Sequence, residues 1–528
     1  MTAESRTPAA GSGSGPTAGS ESYGRGPLGS LFRLLERVGN RVPEPFTLFV
    51  YAFCLLAVLS TVFAGRTVTV PGQADAVIVR NFLSVDGALH LLDTAVENFI
   101  GFPALGTVLV MVMAVGVAQG TGLLEAAVRA MMVRVPAWAI PYAVAFAAAQ
   151  GHVLSDASYF VIAPLGALVF KACGRNPLAG LIGSYACLQA GYAGGFVLGT
   201  LDATYAGITQ EAAMIVGGDE PIHIAMNIFY TAAAGIILPV LGGWLIAHVL
   251  EPRLPASTRP PGHDDETTVT LGVTPVERRG LLMAIAGVAT YSAVALTLWL
   301  LPDSPLRGDG GRLVPSPFTS GLVPLIAIAF VIGGAVYGFV TRAPGDRENL
   351  PTLMARSVRN VAGLVVLFFV VGQVFALIQW TNLGTFLAVT LAETARAWHI
   401  EGFAALMVLV VVSALLNMVI TSGSGLWSLV GPVMVPSIML LGLSPAAIQA
   451  AHRIGDSTTS LITPMSVFLF WLLGVAREYE PGLKFGTLIT RLAVFVPVYL
   501  VGWIAVLAAF YYADLPLGPG TGFELTPP

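Results

Sequence analysis

Four ionisable residues stand in stretches otherwise rich in Ala, Gly, Leu and Val: Asp156, Asp202, Arg453 and Asp456. A carboxylate at the centre of a membrane helix costs ~2.5 to 3.5 kcal/mol on insertion scales, so such residues persist where they hold a substrate or ion, relay a proton or pair with one another. Arg453 and Asp456 are three residues apart, within one helical turn. That spacing suits a structural ion pair, and equally a pair that exchanges its internal partner for a proton, a cation or an anionic substrate. Asp202 has no local partner, and Asp156 is placed either to cap a returning helix or to carry charge. Ser422, Ser424, Thr458, Thr459 and Thr463 add hydroxyls, and their Gly and Pro neighbours free carbonyls for a cation or N–H groups for a carboxylate. A cation site near Asp202, Asp456 and Thr459 would use this chemistry. Taken alone, Asn417 reads as a helix-to-helix hydrogen-bonding residue and Trp427 as packing. His452, next to Arg453, is placed to titrate. With Ser424 as nucleophile it would make an intramembrane hydrolase, although no third, orienting group is evident.

The elements that must position these residues are membrane helices. Of 528 residues, 55% are hydrophobic and 11% charged, and the mean hydropathy is +0.79; soluble domains carry about 25% charged residues, so a water-soluble globule is excluded. Apolar runs at 46–64, 280–301, 322–340, 361–378 and 492–513 each approach the ~20 residues that cross a bilayer core. A net charge of −4 offers no basic surface for nucleic acid. Cys54, Cys173 and Cys187 lie in apolar segments and read as small hydrophobes rather than a disulfide or zinc framework. No cofactor is called for.

Residues 1–28, rich in Gly, Ser, Thr and Pro, read as a disordered cytoplasmic tail, and residues 28–42, with Arg33, Arg37 and Arg41 on one face, as an interfacial helix. Clusters of Arg and Lys in alternate loops place the N-terminus in the cytoplasm, with a transmembrane domain at 29–514, about nine crossings of the cell membrane and an external tail at 515–528.

Two regions, 136–210 and 402–474, fit no simple spanning helix: Gly, Ser, Thr and Pro interrupt them, and both contain charge. Non-helical backbone survives at membrane depth only under protein cover or beside a watery cavity. An offset of 268 residues superposes Tyr159 on Trp427, Pro164 on Pro432 and Pro177 on Pro445, and brings 183–196 onto 451–464 as small-residue stretches expected to interrupt a helix. The pattern is that of an internal repeat of a helical hairpin and a broken helix, the arrangement of secondary transporters that bind their substrate near the bilayer midplane.

The stretch 417–465, containing IQAAHRIGDS and ITPM, closely resembles the p-aminobenzoyl-glutamate transporter (AbgT) family, as do GRNPLAGL at 174–181, GTLDATYAGITQEAA at 199–213 and QWTNLGTFLAV at 379–389. The resemblance implies an all-α polytopic homodimer, each protomer having about nine transmembrane helices and two re-entrant hairpins divided into an elevator-like scaffold and transport core. It also implies transport of p-aminobenzoyl-glutamate or related folate-pathway aromatic acids, and export of sulfonamide antimetabolites, driven by a sodium or proton gradient. Asp202, Asn417, Ser424, Trp427, Pro445, Arg453, Asp456 and Pro464 match the family's important positions, with Asp156 and Ser422 added from the residues themselves. In this scheme Arg453 attracts a substrate carboxylate, Trp427 stacks on the ring, Ser424 and Asn417 hydrogen-bond it, and Asp202 and Asp456 carry the coupling charge. The chain departs from the pattern at Gly195 and Ser460, where Asn is usual, and at Leu426, where Gln is usual. These changes remove carbonyl ligands suited to a hard cation. A sodium-coupled dicarboxylate or citrate-type carrier of similar architecture is the alternative.

Asp202→Asn and Asp456→Asn are each expected to impair transport in proteoliposomes, whereas Asp303→Asn, in an outer loop, is expected to leave it within a few-fold of the wild type.

Overall fold

The computed structural model describes residues 45–70, 76–132, 135–154, 157–217, 220–254, 273–311, 316–342, 349–463 and 466–525. The tail at 1–28, the expected interfacial helix at 28–42, Asp156 and Pro464 lie outside the described residues.

The chain begins with α1 (Pro45–Val62), a short antiparallel hairpin of β1 (Thr67–Thr69) and β2 (Ala76–Ile78), α2 (Val85–Ile100), α3 (Pro103–Gly120) and α4 (Leu123–Met132). The first interrupted region holds α5 (Ile140–Ala149), α6 (Ala157–Ala172), α7 (Pro177–Ala190) and α8 (Thr200–Met214). Then follow α9 (Ile228–Leu245), α10 (Pro275–Leu300), α11 (Leu322–Thr341), α12 (Leu350–Asn360), α13 (Ala362–Thr381) and α14 (Leu383–Ala397). The second interrupted region holds α15 (Phe403–Asn417), α16 (Gly423–Met439), α17 (Pro445–Ser460) and α18 (Val467–Tyr479), and α19 (Phe485–Ala493) and α20 (Phe495–Tyr512) complete the helices. This is a helical polytopic membrane protein. All five apolar runs form helices, and six helical segments among the described residues are long and apolar enough to cross a membrane.

The repeat is written into the helix boundaries. Pro177 opens α7 behind the cap Asn176, and Pro445 opens α17 behind the cap Ser444. Proline suits this first helical position because its missing N–H would have no intrahelical partner there. Pro164 and Pro432 lie inside α6 and α16, and the same offset carries α9 onto α20 to within a residue. Helices α5, α6, α15 and α16 have 10, 16, 15 and 17 residues. At about 1.5 Å per residue they are shorter than the ~30 Å hydrocarbon core.

The helix breaks differ from the sequence expectation. Residues 183–190 and 451–460 remain helical, and the breaks begin at Gly191 and Leu461. The small residues of α7 serve close packing instead: Gly180 crosses Gly166 of α6 so tightly that a Cβ on Gly180 would lie 2.3 Å from the Gly166 carbonyl oxygen. Residues 515–525 are folded back onto the helices. Leu517 and Phe523 are buried, Ser444 N–H donates to the Phe523 carbonyl (2.8 Å), and Phe229 N–H donates to that of Leu517 (2.9 Å).

Gly180→Ala forces apart the α6–α7 crossing and is expected to cost about 1–3 kcal/mol. In thermal unfolding of the detergent-solubilised protein it should lower Tm clearly, while Gly474→Ala, whose Cβ would meet nothing within 4 Å, should not.

Candidate functional site

Two polar stripes face each other between apolar helices. On α8, Asp202, Tyr205 and Thr209 recur at three- and four-residue spacing, and on α17 so do Gln449, Arg453 and Asp456. Each set therefore shares one helix face. All six residues are buried.

Arg453 Nη2 donates to Asp202 Oδ1 at 2.8 Å, an ion pair with side chains 2% and 9% exposed. Asp202, and not the sequence neighbour Asp456, is thus the partner of Arg453. The guanidinium projects from α17 onto α8, where Asp202 also accepts the Gly199 N–H at Oδ2 (2.9 Å) and so caps the start of its own helix. The remaining donors of Arg453 are satisfied by the Ala193 carbonyl (Nη1, 3.2 Å) and Gln449 Oε1 (3.3 and 3.1 Å from Nε and Nη2). Its charge lies 5.1 Å from the centre of the Tyr205 ring. Asp456 takes a different donor, the Tyr205 hydroxyl, at 2.7 Å from Oδ2.

Thr209 fixes the far end of this network: its Oγ1 accepts from Trp427 Nε1 (3.0 Å) and Gln449 Nε2 (2.9 Å) and donates to the Tyr205 carbonyl (2.6 Å). Trp427 is fully buried, stacked on His452 at 4.3 Å between ring centres. His452 Nδ1 meets Ser413 Oγ at 2.9 Å. Both polar contacts of the hydrolase scheme are therefore replaced: the histidine pairs with Ser413, and Ser424 Oγ lies 3.3 Å from Ser422 Oγ.

Asn417 ends α15 and binds the last turn of α17, its Nδ2 donating to the Asp456 carbonyl (2.6 Å), Thr459 Oγ1 (2.8 Å) and Ser460 Oγ (2.9 Å). Asn417 Oδ1 and Ser457 Oγ are buried without a hydrogen-bond partner. Ser422 caps α16 through the Gly425 N–H (3.2 Å). Gly423 brings that helix start against α17: a Cβ there would fall 2.6 Å from Asp456 Oδ2 and 2.7 Å from the Tyr205 hydroxyl. Pro445 stands apart at the opposite end of α17, where it sets the helix start.

A cavity of about 510 Å³ opens beside this cluster. Its polar lining includes Thr421, Ser422, Gly423 and Ser424 at the start of α16, with Asp456, Ser457, Ser460 and Thr463 from α17 and its end. Tyr159, Tyr192 and Phe468 line it too, with Tyr159 stacked on Phe468 (4.1 Å, 23°) and parallel to Tyr192 (6.3 Å, 9°). No Lys, Arg or His lines it among the described residues. Arg453 and Asp202 line a separate narrow crevice that shares Tyr192 and Leu201 with the cavity. The structure thus brings Asp202, Arg453, Asp456, Asn417, Ser422, Ser424 and Trp427 into one neighbourhood, but only Asp456, Ser422 and Ser424 of these reach the cavity. Among the described residues, no three His, Cys, Asp or Glu side chains group as a metal site.

Tyr205, Thr209, Gln449, Tyr192 and Phe468 were not singled out from the sequence as site residues. The three- and four-residue spacing of Tyr205 and Thr209 from Asp202, and of Gln449 from Arg453, is the signal that could have found the first three; the aromatic residues come from three separate segments and carry none.

Residues 30–525 match the model of the "AbgT putative transporter family". The chain belongs to the AbgT family. It is 35% identical to the p-aminobenzoyl-glutamate transport protein of Escherichia coli K12 over 497 residues, 93% of this chain and 96% of that relative. Two solved AbgT structures superpose on it. The YdaH transporter of Alcanivorax borkumensis gives a TM-score of 0.83 at 34% identity, covering 90% of this chain and 100% of that one. MtrF of Neisseria gonorrhoeae, described with a class of antimetabolite efflux pumps, gives 0.86 at 33% identity, covering 93% and 100%. The present AbgT protein is accordingly a secondary transporter.

Removing Arg453 leaves Asp202 as an uncompensated buried charge, a loss of about 3–5 kcal/mol. Arg453→Met should therefore destabilise the detergent-solubilised protein strongly in a thermal melt, and Arg453→Met combined with Asp202→Leu should recover part of the loss.

Proposed function

We propose that this AbgT transporter carries an aromatic acid of the p-aminobenzoyl-glutamate type, and related sulfonamide antimetabolites, across the cell membrane on an ion gradient. The observation that carries this reading is a cavity whose lining combines aromatic rings with hydroxyls, a carboxylate and a helix start. The E. coli relative's name supports the substrate class, and MtrF supports the efflux of antimetabolites.

The substrate ring lies against Tyr192, Phe468 and Tyr159. Its carboxylate is received by hydroxyls and the N-terminal end of α16 at Ser422 to Ser424, where the positive end of the helix dipole favours an anion. Trp427 holds the hairpin through Thr209 rather than stacking on substrate, and Arg453 is kept for its partner in α8. A dicarboxylate carrier would have no use for the aromatic lining.

Asp202, Arg453 and Asp456 together carry one net negative charge. A single monovalent cation, a proton or sodium, neutralises it at Asp456, where Ser457 Oγ, next along α17, and Oδ1 of Asn417, whose amide nitrogen binds the Asp456 carbonyl from the end of α15, have no hydrogen-bond partner. The short pairs α5–α6 and α15–α16 act as re-entrant hairpins of a transport core moving against the longer helices, in a homodimer with cytoplasmic N-termini.

Reconstituted protein under imposed sodium and proton gradients, supplied with labelled p-aminobenzoyl-glutamate and with succinate, tests the proposal. Binding and gradient-driven transport of the aromatic acid over succinate is the expected result, and equal binding of the two refutes it. Phe468→Ala should weaken binding of the aromatic acid about tenfold, equivalent to ~1.4 kcal/mol, measured by ligand titration.

A further inference from the structure

We propose that Tyr205 is the positioning residue that couples the two buried carboxylates, so that occupancy of Asp456 is felt at the Asp202–Arg453 pair. The proposal rests on the reading that Asp456 carries the coupling ion. Asp202 and Asp456 have no direct hydrogen bond; apart from Arg453, which pairs with Asp202 and acts on Asp456 through space, one side chain touches the surroundings of both. The phenol hydroxyl donates to Asp456 Oδ2 at 2.7 Å, and the face of the same ring lies 5.1 Å from the Arg453 guanidinium.

Tyr205 is fully buried, so neither contact is shared with bulk water. Its surroundings are specified on every side. Asp456, Arg453 and His452 face it from α17, with the His452 ring 5.5 Å away; Trp427 faces it from α16 at 6.4 Å; Tyr192 stands in the break after α7 and Asp202 on its own helix. Thr209 anchors the Tyr205 backbone from the next turn. Gly423, the start of the α16 helix, has room only for hydrogen beside the Tyr205 hydroxyl and Asp456. The phenol is thus the contact point of α8, α16 and α17.

Its chemistry makes it a relay of position and not of charge. While Asp456 is ionised, the hydroxyl is held by a charge-assisted bond, which fixes the ring under Arg453. A proton or cation on Asp456 removes or redirects the acceptor. The ring is then released from one of its two anchors, and the Arg453 guanidinium loses a fixed surface on which it is held toward Asp202. Ion binding at the cavity wall is thereby transmitted to the crevice behind it without a charge crossing between them.

The test is Tyr205→Phe in the reconstituted full-length protein, which keeps the ring under Arg453 and removes only the hydroxyl. Gradient-driven accumulation of p-aminobenzoyl-glutamate is compared with counterflow, the exchange of labelled for unlabelled substrate without an ion gradient. A hydrogen bond to a charged group is worth ~1.5–3 kcal/mol, so accumulation should fall about tenfold or more while counterflow falls less than about threefold. In an Asp456→Asn background the same substitution should add nothing further, since the anionic acceptor is already gone. The proposal is overturned if accumulation and its ion dependence stay at the wild-type level, if accumulation and counterflow fall in parallel, or if the two substitutions act additively. A wild type that performs counterflow but responds to neither a sodium nor a proton gradient overturns the ion-coupling reading itself, and the role of Tyr205 with it.

Discussion

The ion pair between Arg453 and Asp202 organises the centre of this protein. Two charges removed from water each cost several kcal/mol, and their attraction compensates only when the remaining donors and acceptors are also satisfied. Here they are: Gln449 and the Ala193 carbonyl take the spare guanidinium donors, and the Gly199 N–H takes the second carboxylate oxygen. Because Arg453 belongs to the second repeat and Asp202 to the first, satisfying the pair also docks α17 on α8. The partners of Gln449 then follow, Thr209 on α8 and Asn227 at the start of α9.

The two repeats have diverged around this joint. At the offset of 268, Arg453 corresponds to Tyr185 and Asp456 to Leu188, so neither charge of α17 has a charged counterpart on α7. An aromatic cluster joins the repeats as well: Tyr159 of the first stacks both on Tyr192 of the same repeat and on Phe468, near the start of α18 in the second. The cavity lined by Asp456 and hydroxyls together with these rings therefore offers both polar and aromatic surface.

Small residues let these parts meet. Gly166 and Gly180 bring α6 and α7 into backbone contact, and Gly455 does the same for α17 against α15, where a Cβ would lie 2.4 Å from the Val410 carbonyl oxygen. Such crossings are how membrane helices gain packing energy when lipid offers no hydrophobic drive to association. They also account for the small-residue stretches at 183–190 and 451–460 staying helical: glycine, serine and alanine there answer to the neighbouring helix, and the breaks fall where the chain runs into Gly191 and Leu461.

Much was legible in the sequence because it depends on local pattern. Hydropathy marked the apolar helices, since twenty apolar residues in lipid must satisfy their own backbone. Pro177 and Pro445 in register marked equivalent helix starts, and IQAAHRIGDS marked the family. Two of the acids at membrane depth, Asp202 and Asp456, marked helices that the fold packs together. Partnership was decided only by the fold. Arg453 is three residues from Asp456 along the chain and pairs with Asp202, because side-chain direction on a helix, and which helix lies opposite, are set by packing over distances that sequence spacing does not encode. For the same reason Trp427 turned away from the cavity to Thr209 and His452, while Tyr159, Tyr192 and Phe468, unremarkable one by one, became its aromatic lining.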